Sequence, residues 1–224
     1  MFIPTLDGSR NAGHTLELDS RITRDYFGAL APVDIGDIDL AEAIHTLNSD
    51  AARFTVGRLS EFTSEAEQVA GWFRDAAGTL VAHKQRAYGA DQIRLLWPVL
   101  RSDERATHAT AIEGGDGWPF LRYGSGPILP LAAVSVDRAT FGWGYSGSGP
   151  INLYKALVYA VTGEVVDVHG PELNKLPNSL YGWITRLPNR SAFLLPWRDL
   201  VDKVRADEPI RSGAIRPKDA GDAV

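Results

Sequence analysis

The sequence predicts an α+β protein with a helical N-terminal half and a strand-rich C-terminal half, the latter built around a Gly-rich loop that leads into a buried helix. Three observations carry this expectation. Apolar residues recur at helical intervals between residues 37 and 77. From about residue 105, short β-branched and aromatic runs alternate with turn residues. The segment Phe141-Gly142-Trp143-Gly144-Tyr145-Ser146-Gly147-Ser148-Gly149-Pro150 packs four glycines into ten residues directly ahead of an aliphatic run.

Taken in order, residues 1–36 carry scattered glycine, proline and polar runs, and read as an extended or partly strand-like N-terminal arm. Residues 37–103 read as a mainly helical region. Asp39 is an N-cap for a helix whose Leu40, Ala43, Ile44 and Leu47 share a face. Ser64 and Glu67 have capping-box spacing, and Ala66, Val69, Ala70, Phe73 and Ala77 repeat behind them at helical intervals up to Gly78. Between Thr79 and Leu100 the signals conflict, because Ile93, Leu95 and Trp97 alternate as in a strand while Asp91–Trp97 also suits a short helix ended by Pro98.

Residues 104–206 read as an α+β domain, with the boundary near Ser102 to Arg105. Thr107–Ile112, Trp118–Arg122, Leu131–Val136 and Thr140–Tyr145 are expected strands, and Val165–Val168 another. After Pro150, the residues Ile151, Leu153, Tyr154, Leu157, Val158 and Val161 leave only Asn152 and Lys155 to interrupt an apolar surface. A helix of that composition is expected to be buried on most sides. A final helix is expected from about Pro196 to Arg205, and residues 207–224 read as a disordered tail.

Composition narrows the function classes. The 224 residues have a net charge of -5, which argues against bulk attraction to nucleic acid or anionic membranes. There are no cysteines, so disulfides, thiolate metal sites and cysteine nucleophiles are all excluded. Met1-Phe2-Ile3-Pro4 opens no basic stretch followed by an apolar core, and no run approaches the length of a membrane span. The expected compartment is the cytoplasm.

Within the loop, Gly142-Trp143-Gly144-Tyr145-Ser146-Gly147 matches G-x-G-x-x-G, and Asp167 follows at the distance of a ribose-binding acid. Trp143 and Tyr145 nevertheless put bulk where a pyrophosphate needs room. Pro150 also stands where a Walker loop needs its lysine. The bland alternative is that aromatic rings fill the core and glycines permit the corner. A strand over Phe141–Tyr145 would put the aromatics on one face and Gly142 and Gly144 on the other, with Pro150 at the first helical position and Ser148 or Gly149 as the cap. The candidate ligand-binding residues are Gly144, Tyr145, Ser146, Gly147, Ser148 and Gly149, whose amides would face an anion at the helix start.

The run W-G-Y-S-G-S-G-P, followed by an aliphatic helix and later by Leu195-Pro196-Trp197, resembles an uncharacterised domain family typified by W-G-Y-G-G-S-G-P. The resemblance covers about residues 105–206, and Ser146 stands where the family has glycine. It implies a bacteriophage, plasmid or other mobile-element context and carries no established activity.

Other chemistry is thinly supplied. His14, His45, His83, His108 and His169 show no compact ligand spacing, so no metal is expected. Asp167 and His169 are the candidate catalytic pair, with a polar strand end as the alternative. Ser146 and Ser148 lack the nucleophile-elbow pattern. Glu113 and Asp116 read as part of a solvated turn. Arg186 and Arg190 with Trp183 form a candidate interaction surface, of a kind that also stacks nucleotides.

The expectation is therefore a non-catalytic interaction protein with a protein partner and no cofactor. A nucleotide- or phosphate-binding protein, with or without catalysis, is the second reading and a nucleic-acid-binding protein the third.

Overall fold

The computed structural model describes residues 14–34, 69–85, 88–95, 108–115, 117–124, 126–132, 141–167, 179–189 and 191–208. They form two antiparallel sheets and four helices, an α+β mix. The first sheet holds β1 (His14–Glu17), β2 (Ala31–Val33), β3 (Val69–Arg74), β4 (Leu80–Lys84) and β5 (Gln92–Leu95) in the order β1-β5-β4-β3-β2. The second holds β6 (Ala109–Gly115), β7 (Trp118–Tyr123), β8 (Ile128–Pro130) and β9 (Phe193–Pro196) in the order β8-β7-β6-β9.

The helical N-terminal half is not observed. Val69–Arg74, expected in a helix, is a strand paired with β2 on one side and β4 on the other. Its 3.6-residue spacing of apolar positions lost to pairing partners distant in sequence, and Trp72 and Phe73 are side chains that suit a pleated surface. Gly78 does terminate an element, but it does so in the β3–β4 turn, where its φ is 84° and its N–H donates to the Asp75 carbonyl at 2.9 Å. Asp75 Oδ1 accepts from the N–H groups of Ala77 and Thr79, the self-bonding that makes aspartate a turn residue. Within residues 79–100 the described parts are strands β4 and β5, while 86–87 and 96–100 lie outside the described residues. The helix expected after Asp39 and the Ser64–Glu67 cap lie outside the described residues.

The N-terminal arm also contains a helix that the pattern did not announce, α1 (Arg21–Gly28). Ser20 caps it by accepting from the Thr23 N–H at 3.2 Å. Its buried Ile22, Thr23 and Tyr26 face the second sheet, with the Tyr26 and Phe120 rings 5.3 Å apart. The Tyr26 hydroxyl donates to Asp75 Oδ2 at 3.1 Å, so one buried side chain ties helix, hairpin turn and second sheet together. Burial first, then the Asp75 charge and the hydrogen bond, hold the Tyr26 hydroxyl well above its ordinary pKa.

On the other face of the second sheet lie α2 (Ser148–Thr162), α3 (Leu180–Arg186) and α4 (Trp197–Ala206). Strand β7 shows the consequence: Trp118, Pro119, Phe120 and Leu121 are buried in succession because both of its faces are covered. α2 runs through the core as its composition predicts. Even its polar Asn152 and Lys155 are buried, and Gly163 ends it in the left-handed conformation. α4 matches the expected last helix. Of the other expected strands, Thr107–Ile112 appears as β6, the strand at Ile128–Pro130 is not among those expected, and most of Leu131–Val136 lies outside the described residues. Residues 165–167 are irregular. Asp207 belongs to the fold rather than to the tail, since it is fully buried and its Oδ2 accepts the Leu180 N–H at 3.0 Å.

Candidate functional site

The Gly-rich loop is irregular from Phe141 to Trp143 and bends from Gly144 to Gly147, so the strand expected over Thr140–Tyr145 is not formed. Phe141 and Trp143 are buried as the packing alternative requires. Phe141 lies 4.6 Å from the Trp118 ring, and Trp143 meets Phe193 edge-on at 5.0 Å. The Trp143 indole N–H donates to the Ser191 carbonyl at 2.8 Å, which satisfies the one polar atom of a fully buried ring.

Gly144 has φ +81°, and a Cβ there would lie 2.6 Å from the Leu187 carbonyl oxygen and 2.5 Å from Asn189 Cα. Its N–H donates to the Ile184 carbonyl at 3.0 Å. This position is a close backbone crossing, and only glycine fits it.

Tyr145 turns back over the loop. A methyl group at Gly142 or Gly149 would overlap its hydroxyl, and one at Gly147 would meet its ring at 3.2 Å. The space vacated by three glycines is therefore filled by a side chain four residues or fewer away in sequence. α2 then starts two residues earlier than expected, with Gly147 as N-cap, Ser148 and Gly149 in the first turn and Pro150 in third position. Pro150 fits there because the first-turn N–H groups have no intrahelical partner to lose. No side chain caps this helix, and Ser146 and Ser148 are exposed.

Both sheets are antiparallel, so the parallel scaffold of a dinucleotide site is absent from the described residues. Asp167 is exposed, and its Oδ1 lies 3.4 Å from the buried Lys155 ammonium rather than at a strand end. His169 and Arg190 lie outside the described residues. No group of three or more His, Asp or Glu side chains among the described residues is arranged to hold a metal. No described helix is long and apolar enough to cross a membrane.

Glu113 is not in a solvated turn. It sits within β6, its side chain only 12% exposed, and accepts from Arg21 Nη2 at 2.9 Å and from Arg122 Nε. Arg122 reaches on to Asp25 at 3.6 Å. This network binds α1 to the second sheet. The pattern missed it because Arg21 is 92 residues away in sequence. A second unannounced pair is His83 Nε2 with Asp91 Oδ2 at 3.1 Å, beneath the Phe27 ring at 4.8 Å.

Among the described residues, an open groove lies elsewhere. Trp183, Leu195, Asp199, Asp202, Lys203 and Ala206 line a groove of about 480 Å³ bounded by α3, β9 and α4. Trp183, one of the expected surface residues, is half-buried there and perpendicular to Phe193 at 5.3 Å. Arg186 is exposed in the last turn of α3 and folds back over Gly182. Among the described residues β9 ends the sheet order, and its burial alternates: Phe193 and Leu195 point inward while Leu194 is 62% exposed. The sequence marks this face only by Trp183, Arg186 and the Leu195-Pro196-Trp197 run.

A domain of unknown function (DUF8307) matches residues 125–210. The match begins some twenty residues later than the resemblance implied. It includes the Gly-rich loop, the three C-terminal helices and the groove, and leaves out β6, β7, α1 and the whole first sheet. No curated protein and no solved structure matches the chain.

Proposed function

We propose that the chain is a non-catalytic interaction protein, an accessory factor of the mobile-element type, which binds a phage or host macromolecule through the face formed by α3, β9 and α4. The observation that carries this reading is the contrast on β9. The last strand of the sheet displays Leu194 at 62% exposure on one side and lines an open groove with Leu195 on the other, whereas the glycine loop is filled by its own Tyr145. An open sheet edge presents main-chain groups to which a further strand can pair. The context is supported by the octapeptide resemblance alone.

The test is affinity capture from the natural host with the wild-type chain and with Leu194→Asp, which changes only an exposed side chain. A partner held by the wild type and lost from a variant of unchanged melting temperature supports the reading. Equal capture by both, or enzymatic turnover that Asp167→Asn abolishes, overturns it.

A nucleotide or phosphate ligand is the second reading, favoured by the absence of a side-chain cap on α2. It requires Tyr145 to leave the glycine floor.

A further inference from the structure

We infer that the β9 edge and the adjoining groove receive an extended peptide segment of a partner protein, in which aliphatic residues alternate with lysine or arginine. This rests on the proposed docking face and assigns its ligand chemistry.

Register defines the two sides of the edge. Leu194 pairs with Glu113, and Glu113 with Phe120, so Leu194 lies on the face that carries α1. Phe193 and Leu195 lie on the opposite face, against the helices, where Leu195 joins Trp183 in the groove lining. A strand laid along β9 must send successive side chains to these two sides in turn. On the α1 side the nearest outward surface is Leu194, which suits an aliphatic side chain.

On the groove side the floor is Trp183, Leu195 and Ala206, and the charged rim is Asp199, Asp202 and Lys203. Among the lining residues two carboxylates stand against one ammonium, with Arg205 reaching Asp202 from outside the lining. A long basic side chain fits such a site twice over, with its methylene stem on the indole and Leu195 and its cationic head at the carboxylates. Asp202 pairs with Arg205 at 3.9 Å, with both side chains well exposed, a pair that an incoming cation displaces at little cost. Pro196 has no N–H to offer a neighbouring strand, so main-chain pairing is confined to Phe193–Leu195, and affinity depends on the side-chain positions on either side.

The experiment is a selection of random ten-residue linear peptides displayed against the full-length chain. The expected winners alternate aliphatic residues with lysine or arginine and lose affinity as salt is raised. They bind about tenfold or more weakly to Leu194→Asp and to the double variant Asp199→Lys/Asp202→Lys, a loss of about 1.4 kcal/mol or more. Both variants alter exposed side chains, and unchanged melting curves verify that each is folded. Winners that depend on Leu194 but show no preference for basic residues overturn the assigned chemistry and leave the docking face standing. Winners indifferent to both variants, or no enrichment at all, remove the face as well.

Two further measurements decide against other occupants. A dimer in sedimentation that Leu194→Asp dissolves would assign the edge to a second copy of the chain. A carbodiimide cross-link from Asp199 or Asp202 to Lys218 of the same chain would assign the groove to the chain's own C-terminal residues. Either result overturns the proposal.

Discussion

The Gly-rich loop and the α3–β9–α4 face lie in the same matched span and share a wall, since Phe193 touches Trp143 on one side and Trp183 on the other. They are opposites in use of space. The loop has every mark of a site in the sequence, yet its glycine floor is covered by Tyr145 and its Gly144 amide is spent on Ile184. The face carries only Trp183, Arg186 and the Leu195-Pro196-Trp197 run in the sequence, yet a groove remains open there, and Leu194 is exposed on the opposite side of the same strand. Glycine density reports close approach of atoms, and the atoms that approach here belong to the protein itself.

The largest effect that would break this contrast is at Gly144. Gly144→Val places a β-branched residue at φ +81° with a Cβ 2.6 Å from the Leu187 carbonyl oxygen, and its nearest neighbours, in Asn189 and Leu187, are main chain that cannot swing aside. The expected loss is about 3–5 kcal/mol in urea unfolding. A loss below about 1 kcal/mol would mean that the loop yields easily and is not the rigid corner described.

How much of this contrast was legible in the sequence depends on the range of the interactions. The buried α2, the buried Trp143 and the last helix follow from local composition, and they stand where composition puts them. The β3 strand and the Glu113 network do not, because their partners are distant in sequence: β2 ends at Val33 and β3 begins at Val69, and Arg21 joins β6 across 92 residues. Tyr145 is a third kind of case. Its bulk was visible as an objection to a pyrophosphate, but its return over Gly142 and Gly149 depends on the loop bending where a strand was expected.

Carboxylates repeat the closed-versus-open contrast at a smaller scale. Asp75 is buried and bonded to Tyr26, Ala77 and Thr79, whereas Asp199 and Asp202 are exposed on the groove rim. Tyr26→Phe is expected to cost about 1–2 kcal/mol at neutral pH, the worth of a hydrogen bond to a charged acceptor. The pH dependence has a definite sign. The folded-state pKa of Tyr26 is raised, so its contribution is complete below the ordinary tyrosine value of about 10 and is lost as pH climbs from there toward the raised value. Wild-type stability therefore falls through that alkaline window, and Tyr26→Phe flattens the fall. An identical alkaline decline in both proteins would show that the buried hydroxyl is not what titrates.

The smallest expected effect is the most discriminating between the two regions. Tyr145 is 44% exposed, so Tyr145→Ala should change stability by only about 1 kcal/mol or less, while uncovering Gly142, Gly147 and Gly149 at the start of α2. If the loop is a packing corner, neither the wild type nor the variant gains melting temperature with inorganic phosphate or a nucleoside triphosphate. If Tyr145 is instead a cover over an anion site, the variant must gain, because a ligand that prefers the folded state stabilises it in proportion to the logarithm of its concentration over Kd. A gain in the variant alone would make Tyr145 a gate. A gain in both would move the functional centre of the molecule from the open face to the loop, and the groove would then be the region left without a role.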